Sequence, residues 1–266
     1  MKLGLGLSLP SMQRRRDTLA LDPDALAYIT AVEAADGEAL EAGVREAING
    51  FVVGCKADGI WDALKASCIL AGARTLNGAL VPLKGAAPTN FNFVSADYSR
   101  TLGLQGNGAT KTLNSNYTYS TQEINNHHAY FYASDGRVDA ETGARSAMGD
   151  AGSTTDSVQV NSFSSGLNAR SMTATASVTA LTAAPTGFGL SRSASDNYNV
   201  IADGVVTNQI IGSSSRRGSP MFVFSRDNAA HYDRKGSFYS IGEALDLAAL
   251  DTRVTALMTA LDGAIA

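Results

Sequence analysis

The sequence predicts a mainly β protein, an antiparallel β-sandwich with helices at its N-terminal end and one helix at its C-terminal end. Only three of the nineteen aromatic residues lie before residue 91, where Ala, Leu and Glu dominate instead and favour helix. The later residues are rich in Ser, Thr, Asn, Gly, Tyr and Phe, which suits short strands joined by turns. The last twenty residues return to a helical apolar spacing.

Composition excludes several classes of protein. The 266 residues are 44% hydrophobic and 17% charged with a net charge of −4, which is unlike a nucleic-acid binder that works through basic charge. No apolar run reaches the roughly 18 residues of a membrane span. The run Arg14–Arg16 follows the short apolar start, so we expect no signal peptide. Cys55 and Cys68 are too few for a disulfide framework or a structural zinc site, and we expect no cofactor.

We divide the chain into an N-terminal arm (1–22), a helical base (23–84), a sandwich (85–244) and a C-terminal helix (245–266). In the base, Asp22 and Pro23 supply a helix cap and a first helical residue, and Gly37 ends that helix. A second helix runs from about Glu38. A third is predicted from Gly59 to near Gly72, with Trp61 in the core.

The sandwich region contains several short strand patterns separated by turn residues. In the segment 127–133, Ala129 and Phe131 share one face while His128, Tyr130 and Tyr132 share the other. Asp203-Gly204 between two apolar runs predicts a hairpin. No helical pattern separates the strands, which favours antiparallel pairing. The other candidate strands are 116–120, 157–163, 170–178, 188–192, 198–202, 205–211, 221–225 and 237–241.

The C-terminal helix has apolar residues at steps of three and four, a heptad seam made by Leu247, Leu250, Val254, Leu257 and Leu261. Two interpretations stay open. The seam could pack within the chain against the N-terminal helices, or it could join copies in an oligomer.

A search for catalytic motifs finds no convincing active site. The glycine-rich run 103–112 has Thr110 where a phosphate-binding loop needs Gly before its Lys, so it predicts a β-turn. Asp139 and Glu141 alternate as a pair of glycosidase acids would, but they lie in a polar loop pattern. No G-x-S-x-G elbow accompanies the histidines. We therefore expect a protein that is not an enzyme.

Surface recognition is the remaining class of function. Sugars are bound by aromatic rings and planar polar side chains, and tyrosine supplies both contact area and a hydroxyl. From the aromatic strand and the hairpin we predict a carbohydrate-binding set of His128, Tyr130, Tyr132 and Tyr198. The alternative for each tyrosine is that it braces the sandwich.

Four segments, 103–113, 127–133, 198–206 and 236–245, occur in an order that resembles concanavalin A-like, or laminin G-like, jelly rolls. The resemblance covers roughly residues 90 to 245 and implies a jelly-roll sandwich. The chain shows no clear pair of loop aspartates like those of laminin G calcium sites, so no metal site is expected.

Three segments, 47–76, 88–94 and 238–247, resemble a group of phage-encoded virion proteins described as tail-fibre or structural proteins. This resemblance implies a fibre or spike on the surface of a phage or phage-like particle, made in the bacterial cytoplasm. It also implies contacts with other virion proteins through the N-terminal helices, binding of host-surface polysaccharide, and a homo-oligomer, with a trimer favoured. The alternatives are a polysaccharide depolymerase and a purely structural decoration or connector protein.

Overall fold

The fold is an antiparallel β-sandwich with a layer of helices on one sheet. The computed structural model describes residues 21–119, 124–135, 145–150, 157–163, 166–181, 186–215, 218–226 and 230–265. The predicted mainly β sandwich with N-terminal helices and a C-terminal helix is confirmed. The described helices are α1 (Pro23–Asp36), α2 (Ala42–Ala57), the short α3 (Leu76–Ala79) and α4 (Leu247–Ile265).

The helices begin and end largely where local chemistry requires. The Asp22 carboxylate accepts a hydrogen bond from the backbone N–H of Asp24, 3.0 Å away, which caps α1. Gly37 ends α1 with a positive φ of 72°, a conformation that glycine adopts without a Cβ clash. The second helix begins at Ala42 rather than at the predicted Glu38. Residues 38–41 form the connection between α1 and α2.

Two antiparallel sheets form the sandwich. Within the described residues, sheet 1 consists of β1 (Leu64–Ile69), β3 (Tyr98–Ser99), β4 (Gly103–Gln105), β6 (His127–Ala133), β11 (Thr186–Arg192), β12 (Tyr198–Ala202), β13 (Val205–Gln209) and β15 (Lys235–Gly242). Sheet 2 consists of β2 (Thr89–Phe91), β5 (Thr112–Thr118), β7 (Arg145–Asp150), β8 (Ser157–Phe163), β9 (Gly166–Thr173), β10 (Ser177–Thr179) and β14 (Pro220–Val223).

Sheet 1 has the order β13-β12-β11-β6-β15-β4-β3, and β1 also pairs with β15. Sheet 2 has the order β10-β9-β8-β7-β14-β5-β2. The predicted hairpin is confirmed, since β12 and β13 pair antiparallel across Asp203 and Gly204, whose φ angles are both positive.

Two hydrophobic cores lie on either side of sheet 1. The inner core fills the space between the sheets, with Phe131 and Phe188 from sheet 1 and Val160 from sheet 2 among its residues. The outer core lies between sheet 1 and helices α1, α2 and α4. The central strands of sheet 1, such as β6, are therefore buried on both faces, whereas β13 at its edge is largely exposed.

The predicted third helix is wrong. Trp61–Ala63 form one turn of 3-10 helix, and Leu64–Ile69 form strand β1 at the side of β15. Ala66 and Cys68 belong to the inner core, whereas Leu64 and Ile69 belong to the outer core. The apolar residues of this strand alternate with Lys65 and Ser67, but Leu64 and Cys68 also continue the helical spacing that starts at Ile60, so the pattern fits a helix as well. The region 23–84 thus contributes a strand to the sandwich and is not purely helical.

The heptad seam of α4 packs within the chain. Leu250, Val254, Leu257 and Leu261 are buried in the outer core, where α4 contacts α2 and sheet 1. The intramolecular interpretation of this helix is therefore the one that the structure supports.

Other strand predictions differ in detail. The predicted strand 170–178 is two strands, β9 and β10, separated by a turn. The sequence does not predict strand β7, because a segment with Arg, Ser, Gly and Asp has little β propensity. The glycine-rich run begins with the short strand β4 and continues as a turn whose backbone N–H groups donate to the Asn107 side chain. The predicted acid pair Asp139 and Glu141 lies outside the described residues.

Candidate functional site

The four residues predicted to bind carbohydrate are all buried. His128 and Tyr130 are 0% exposed, Tyr198 1% and Tyr132 8%. The alternation along β6 is as predicted, but helices pack on the face that carries His128, Tyr130 and Tyr132. Tyr198 lies on the opposite face of sheet 1, in the inner core. We correct the predicted set, because these side chains have no exposed surface for a saccharide.

Each of the four has a structural contact instead. The Tyr130 hydroxyl donates to the Asp251 carboxylate at the start of α4, 2.6 Å away. The Tyr198 hydroxyl donates to the Ala169 carbonyl oxygen at 3.0 Å and so joins the two sheets. Tyr132 packs in the outer core. These tyrosines brace the sandwich, which is the alternative that the sequence left open.

His128 is held as a neutral imidazole. Its Nδ1 lies 2.5 Å from the Glu243 carbonyl oxygen and must donate, so Nε2 accepts from the Ser240 hydroxyl at 2.8 Å. Burial lowers the pKa of His128 to about 4. The adjacent His127 faces the inner side, where its Nε2 lies 2.8 Å from the Ser171 hydroxyl. Burial lowers the pKa of His127 to about 3.

The outer face of sheet 2 carries polar side chains, whereas the outer face of sheet 1 carries aromatic ones. Along β8, Val158 and Val160 point into the inner core, so the period of two places Gln159 and Asn161 on the outer side. By the same rule, Phe222 of β14 and Arg170 of β9 lie on that side. This face combines amide, guanidinium and aromatic side chains.

The strand register aligns these residues in one line across sheet 2. Asn114 pairs with Phe222, Phe222 with Gly149, Gly149 with Gln159, and Gln159 with Arg170. We call these five residues the cross-strand row. Asn161 and Asn168 form the neighbouring pair on the same side.

Arg226, which follows β14, reaches over the row. Its Nη1 donates to the Gln159 Oε1 atom at 3.1 Å, and Arg170 Nη1 donates to the same oxygen at 3.1 Å. Gly149 makes room for Arg226, because a Cβ at this position would lie 3.0 Å from the Arg226 Cγ atom. Burial and the nearby charge of Arg226 both lower the pKa of Arg170.

Two concave surfaces on the helical side are weaker candidates. One, of about 560 Å³, lies between α2 and α4 and is lined mainly by small residues such as Gly43 and Ala260. The other, of about 490 Å³, contains Lys56, Trp61 and Lys84. Trp61 is only 5% exposed, and the Lys84 ammonium lies 4.2 Å from the ring centroid. Its ring face is therefore already occupied.

The described residues contain no cluster of metal-ligating side chains. No group of three or more His, Cys, Asp or Glu side chains in this part of the chain is arranged to hold a metal ion. Burial raises the pKa of the Cys55 and Cys68 thiols to about 12, so neither is a thiolate at neutral pH. None of the described helices is long and apolar enough to cross a membrane.

Comparison with known proteins shows likeness in fold. No protein-family model matches the chain, and no curated protein matches it. The binding domain of botulinum neurotoxin serotype D superposes with a TM-score of 0.51 at 10% identity, over 73% of this chain and 51% of that one. The receptor-binding domain of the mosaic serotype C/D neurotoxin gives 0.51 and 10%, over 73% and 50%. This chain thus covers about half the length of these domains.

Sialidases give weaker superpositions. The NanB sialidase of Streptococcus pneumoniae matches with a TM-score of 0.37 and 13% identity, over 56% of this chain and 26% of that one. The superpositions show that this chain shares the sandwich fold of those two neurotoxin domains over about three quarters of its length.

Proposed function

We propose that this protein is a non-enzymatic binding protein that holds a polysaccharide on the outer face of sheet 2. The observation that supports this best is the cross-strand row, where the partly exposed Asn114 and Arg170 present planar polar groups beside the partly exposed ring of Phe222, and the buried Gln159 lies beneath and accepts a hydrogen bond from Arg170. Such groups can pair with the hydroxyls of a sugar while the ring packs on its apolar face. The same fold in neurotoxin receptor-binding domains is consistent with a receptor-binding role.

The protein acts, in this proposal, as a fibre or spike on a phage or phage-like particle and binds host-surface polysaccharide. The support is the sequence resemblance of segments 47–76, 88–94 and 238–247 to virion proteins. The helical layer lies on sheet 1, so it could contact other virion proteins while sheet 2 stays free.

A homo-oligomer, with a trimer favoured, belongs to the same proposal. Linked copies of a weak site can raise apparent affinity by about 100-fold or more. The α4 seam does not support the oligomer, since it is buried within the chain. Native mass spectrometry of the assembled particle tests this part, and a single copy at each position would contradict it.

A glycan array and purified host capsule test the binding function. We expect the wild type to bind, and Asn114→Ala and Phe222→Ala each to weaken binding by roughly tenfold, the cost of one good polar or ring contact. Asn208→Ala removes an exposed amide from β13 in sheet 1 and should leave binding unchanged. Absence of binding by the wild type, or equal binding by all variants, would refute the proposal.

The same incubation distinguishes the other functions. New reducing ends released from capsule would show a depolymerase and overturn the non-enzymatic part. A purely structural decoration or connector protein would bind no glycan even as an oligomer.

A further inference from the structure

Two positive charges on sheet 2 share one neutral acceptor. The guanidinium groups of Arg170 and Arg226 both donate to Gln159 Oε1. Neither forms an ion pair with a carboxylate of the described residues, although other arginines of this chain do. Arg253, for example, donates twice to the Asp58 carboxylate, at 2.6 and 2.8 Å. Two guanidinium groups placed together repel each other unless an anion lies between them.

Buried polar atoms beside the pair also have no partner. Arg226 Nε is buried and makes no hydrogen bond. The Asn161 side chain is 1% exposed, and its Oδ1 atom makes no hydrogen bond either, while its amide nitrogen donates to Gln159. Buried polar groups are almost always paired in folded proteins, so the unpaired Arg226 Nε–H indicates a missing acceptor. The Asn161 Oδ1 atom is itself an acceptor and does not pair with an anion.

The site is built by backbone geometry as well as by side chains. Gly149 lets the Arg226 stem cross strand β7 and brings its guanidinium to Gln159. On the other side, Arg170 Nε donates to the Ala174 carbonyl oxygen at 3.2 Å, which fixes that guanidinium. Both charges are thus held in position before any ligand arrives, which reduces the entropy lost on binding.

We propose that Arg170 and Arg226 form a subsite for the carboxylate of an acidic saccharide. A carboxylate is planar and accepts parallel hydrogen bonds from guanidinium groups, and the donation of two arginines to it would neutralise their repulsion. The inference rests on the proposed polysaccharide function and adds its ligand class: a glycan that contains uronic or another carboxylate-bearing sugar.

Three small probes test the subsite directly. Sodium glucuronate, glucose and inorganic phosphate are titrated into the full chain, and the side-chain amide signals of Gln159 are followed by NMR. Glucuronate and glucose differ in the carboxylate. We expect glucuronate to shift the Gln159 signals and to bind about tenfold or more tightly than glucose, as for a charge-assisted contact.

Variants assign the effect to the two arginines. Arg170→Gln and Arg226→Gln should each remove most of the preference for glucuronate, and Gly149→Ala should reduce it by displacing Arg226. Arg170→Lys keeps the charge and should restore part of it. Arg253→Gln removes one guanidinium from the helical side and is the control with no expected effect.

A structural role would give another result. If the arginines only stabilise the fold, Arg226→Gln lowers the melting temperature and leaves ligand preference unchanged. We expect the melting temperature of the unliganded protein to stay equal or rise, because the variant removes a like-charge contact.

The outcomes separate this inference from the proposed function. Equal affinity for glucuronate and glucose overturns the carboxylate subsite, yet polysaccharide binding that depends on Phe222 would survive. Phosphate binding as tight as glucuronate would show an oxyanion site with no preference for a sugar acid, which also overturns it. If no glycan on the array binds but glucuronate still titrates the arginine pair, the proposed function fails and the anion subsite stands.

Discussion

On sheet 1 the outer face carries the rings of Tyr130, Tyr132 and Phe238, and helices α1, α2 and α4 cover them. On sheet 2 the outer face carries amides, two guanidinium groups and the partly exposed Phe222. Both faces arise from the same alternation of side chains along a strand. The difference shows that the aromatic side chains of sheet 1 lie on the face that the helices bury, whereas the outer face of sheet 2 carries polar and charged side chains and no helical layer among the described residues.

The largest expected difference between the two faces is in packing. Phe238→Ala removes a fully buried ring whose centroid lies 5.5 Å from that of Phe51 and 6.2 Å from that of Tyr130. The free energy of unfolding should fall by about 3–5 kcal/mol. Phe222→Ala is the matched change on sheet 2 and should cost roughly 1 kcal/mol, since the ring is partly exposed. Urea denaturation measures both, and equal losses would contradict the comparison.

Acid should destabilise the protein through the two buried histidines of β6. The pKa of His128 is about 4 in the folded protein against 6.5 unfolded, and that of His127 is about 3. Between pH 4 and pH 6.5 the unfolded chain binds more protons at His128 than the folded protein does. The free energy of unfolding is therefore highest above about pH 6.5 and falls as the pH drops toward 4. His128 alone should lower the free energy of unfolding by on the order of 3 kcal/mol over this range.

The variant His128→Gln tests this pH dependence. Glutamine does not titrate, so the slope of unfolding free energy against pH should decrease by close to one proton near pH 5, whatever the variant costs at pH 7. Denaturation curves from pH 4 to pH 8 give the slope. An unchanged slope would mean that His128 is not held neutral beneath the helices.

A smaller effect is expected where α4 meets sheet 1. Burial raises the pKa of Asp251, and the hydrogen bond from Tyr130 opposes that rise. Tyr130→Phe should therefore cost about 1–2 kcal/mol at pH 7. The folded state of this variant binds a proton at Asp251 more tightly than the unfolded chain, so its deficit should shrink as the pH falls through the folded pKa.

Tyr198→Phe is the matched control for this hydroxyl. The Tyr198 hydroxyl donates to the neutral carbonyl oxygen of Ala169. The stability lost in Tyr198→Phe should therefore not depend on the protonation of Asp251. Thermal melts of both variants from pH 4 to pH 7 distinguish them. Parallel curves for the two variants would show that Asp251 does not depend on Tyr130.

Much of this fold could be predicted from local patterns. The caps at Asp22 and Gly37, the alternation along 127–133 and the turn at Asp203-Gly204 each involve neighbours in sequence, and the structure confirms them. The segment 64–69 fits two structures, because its apolar residues alternate with Lys65 and Ser67 as in a strand, while Leu64 and Cys68 also continue the helical spacing from Ile60. Its pairing with β15, which is distant in sequence, decides for the strand.

The candidate site depends on contacts that are distant in sequence. Arg170 and Arg226 meet only because β14, β7, β8 and β9 lie side by side, and the register puts Gly149 beneath Arg226. The aromatic strand 127–133 predicts a binding face because tyrosines suit sugars. A sequence does not show which face of a sheet receives helices, so Tyr130 and Tyr132 could not be recognised as buried.

The two ends of the described chain lie in the same layer. The backbone N–H of Asp22 donates to the Asn49 side chain of α2, and a Cβ on Gly43 of α2 would touch Ala264 near the end of α4. A tether joined near either end would thus leave from the helical side, with the sandwich between it and the arginine pair. Immobilising the protein through residues near Asp22 or Ile265 would turn sheet 2 outward, toward whatever surface the tethered molecule meets.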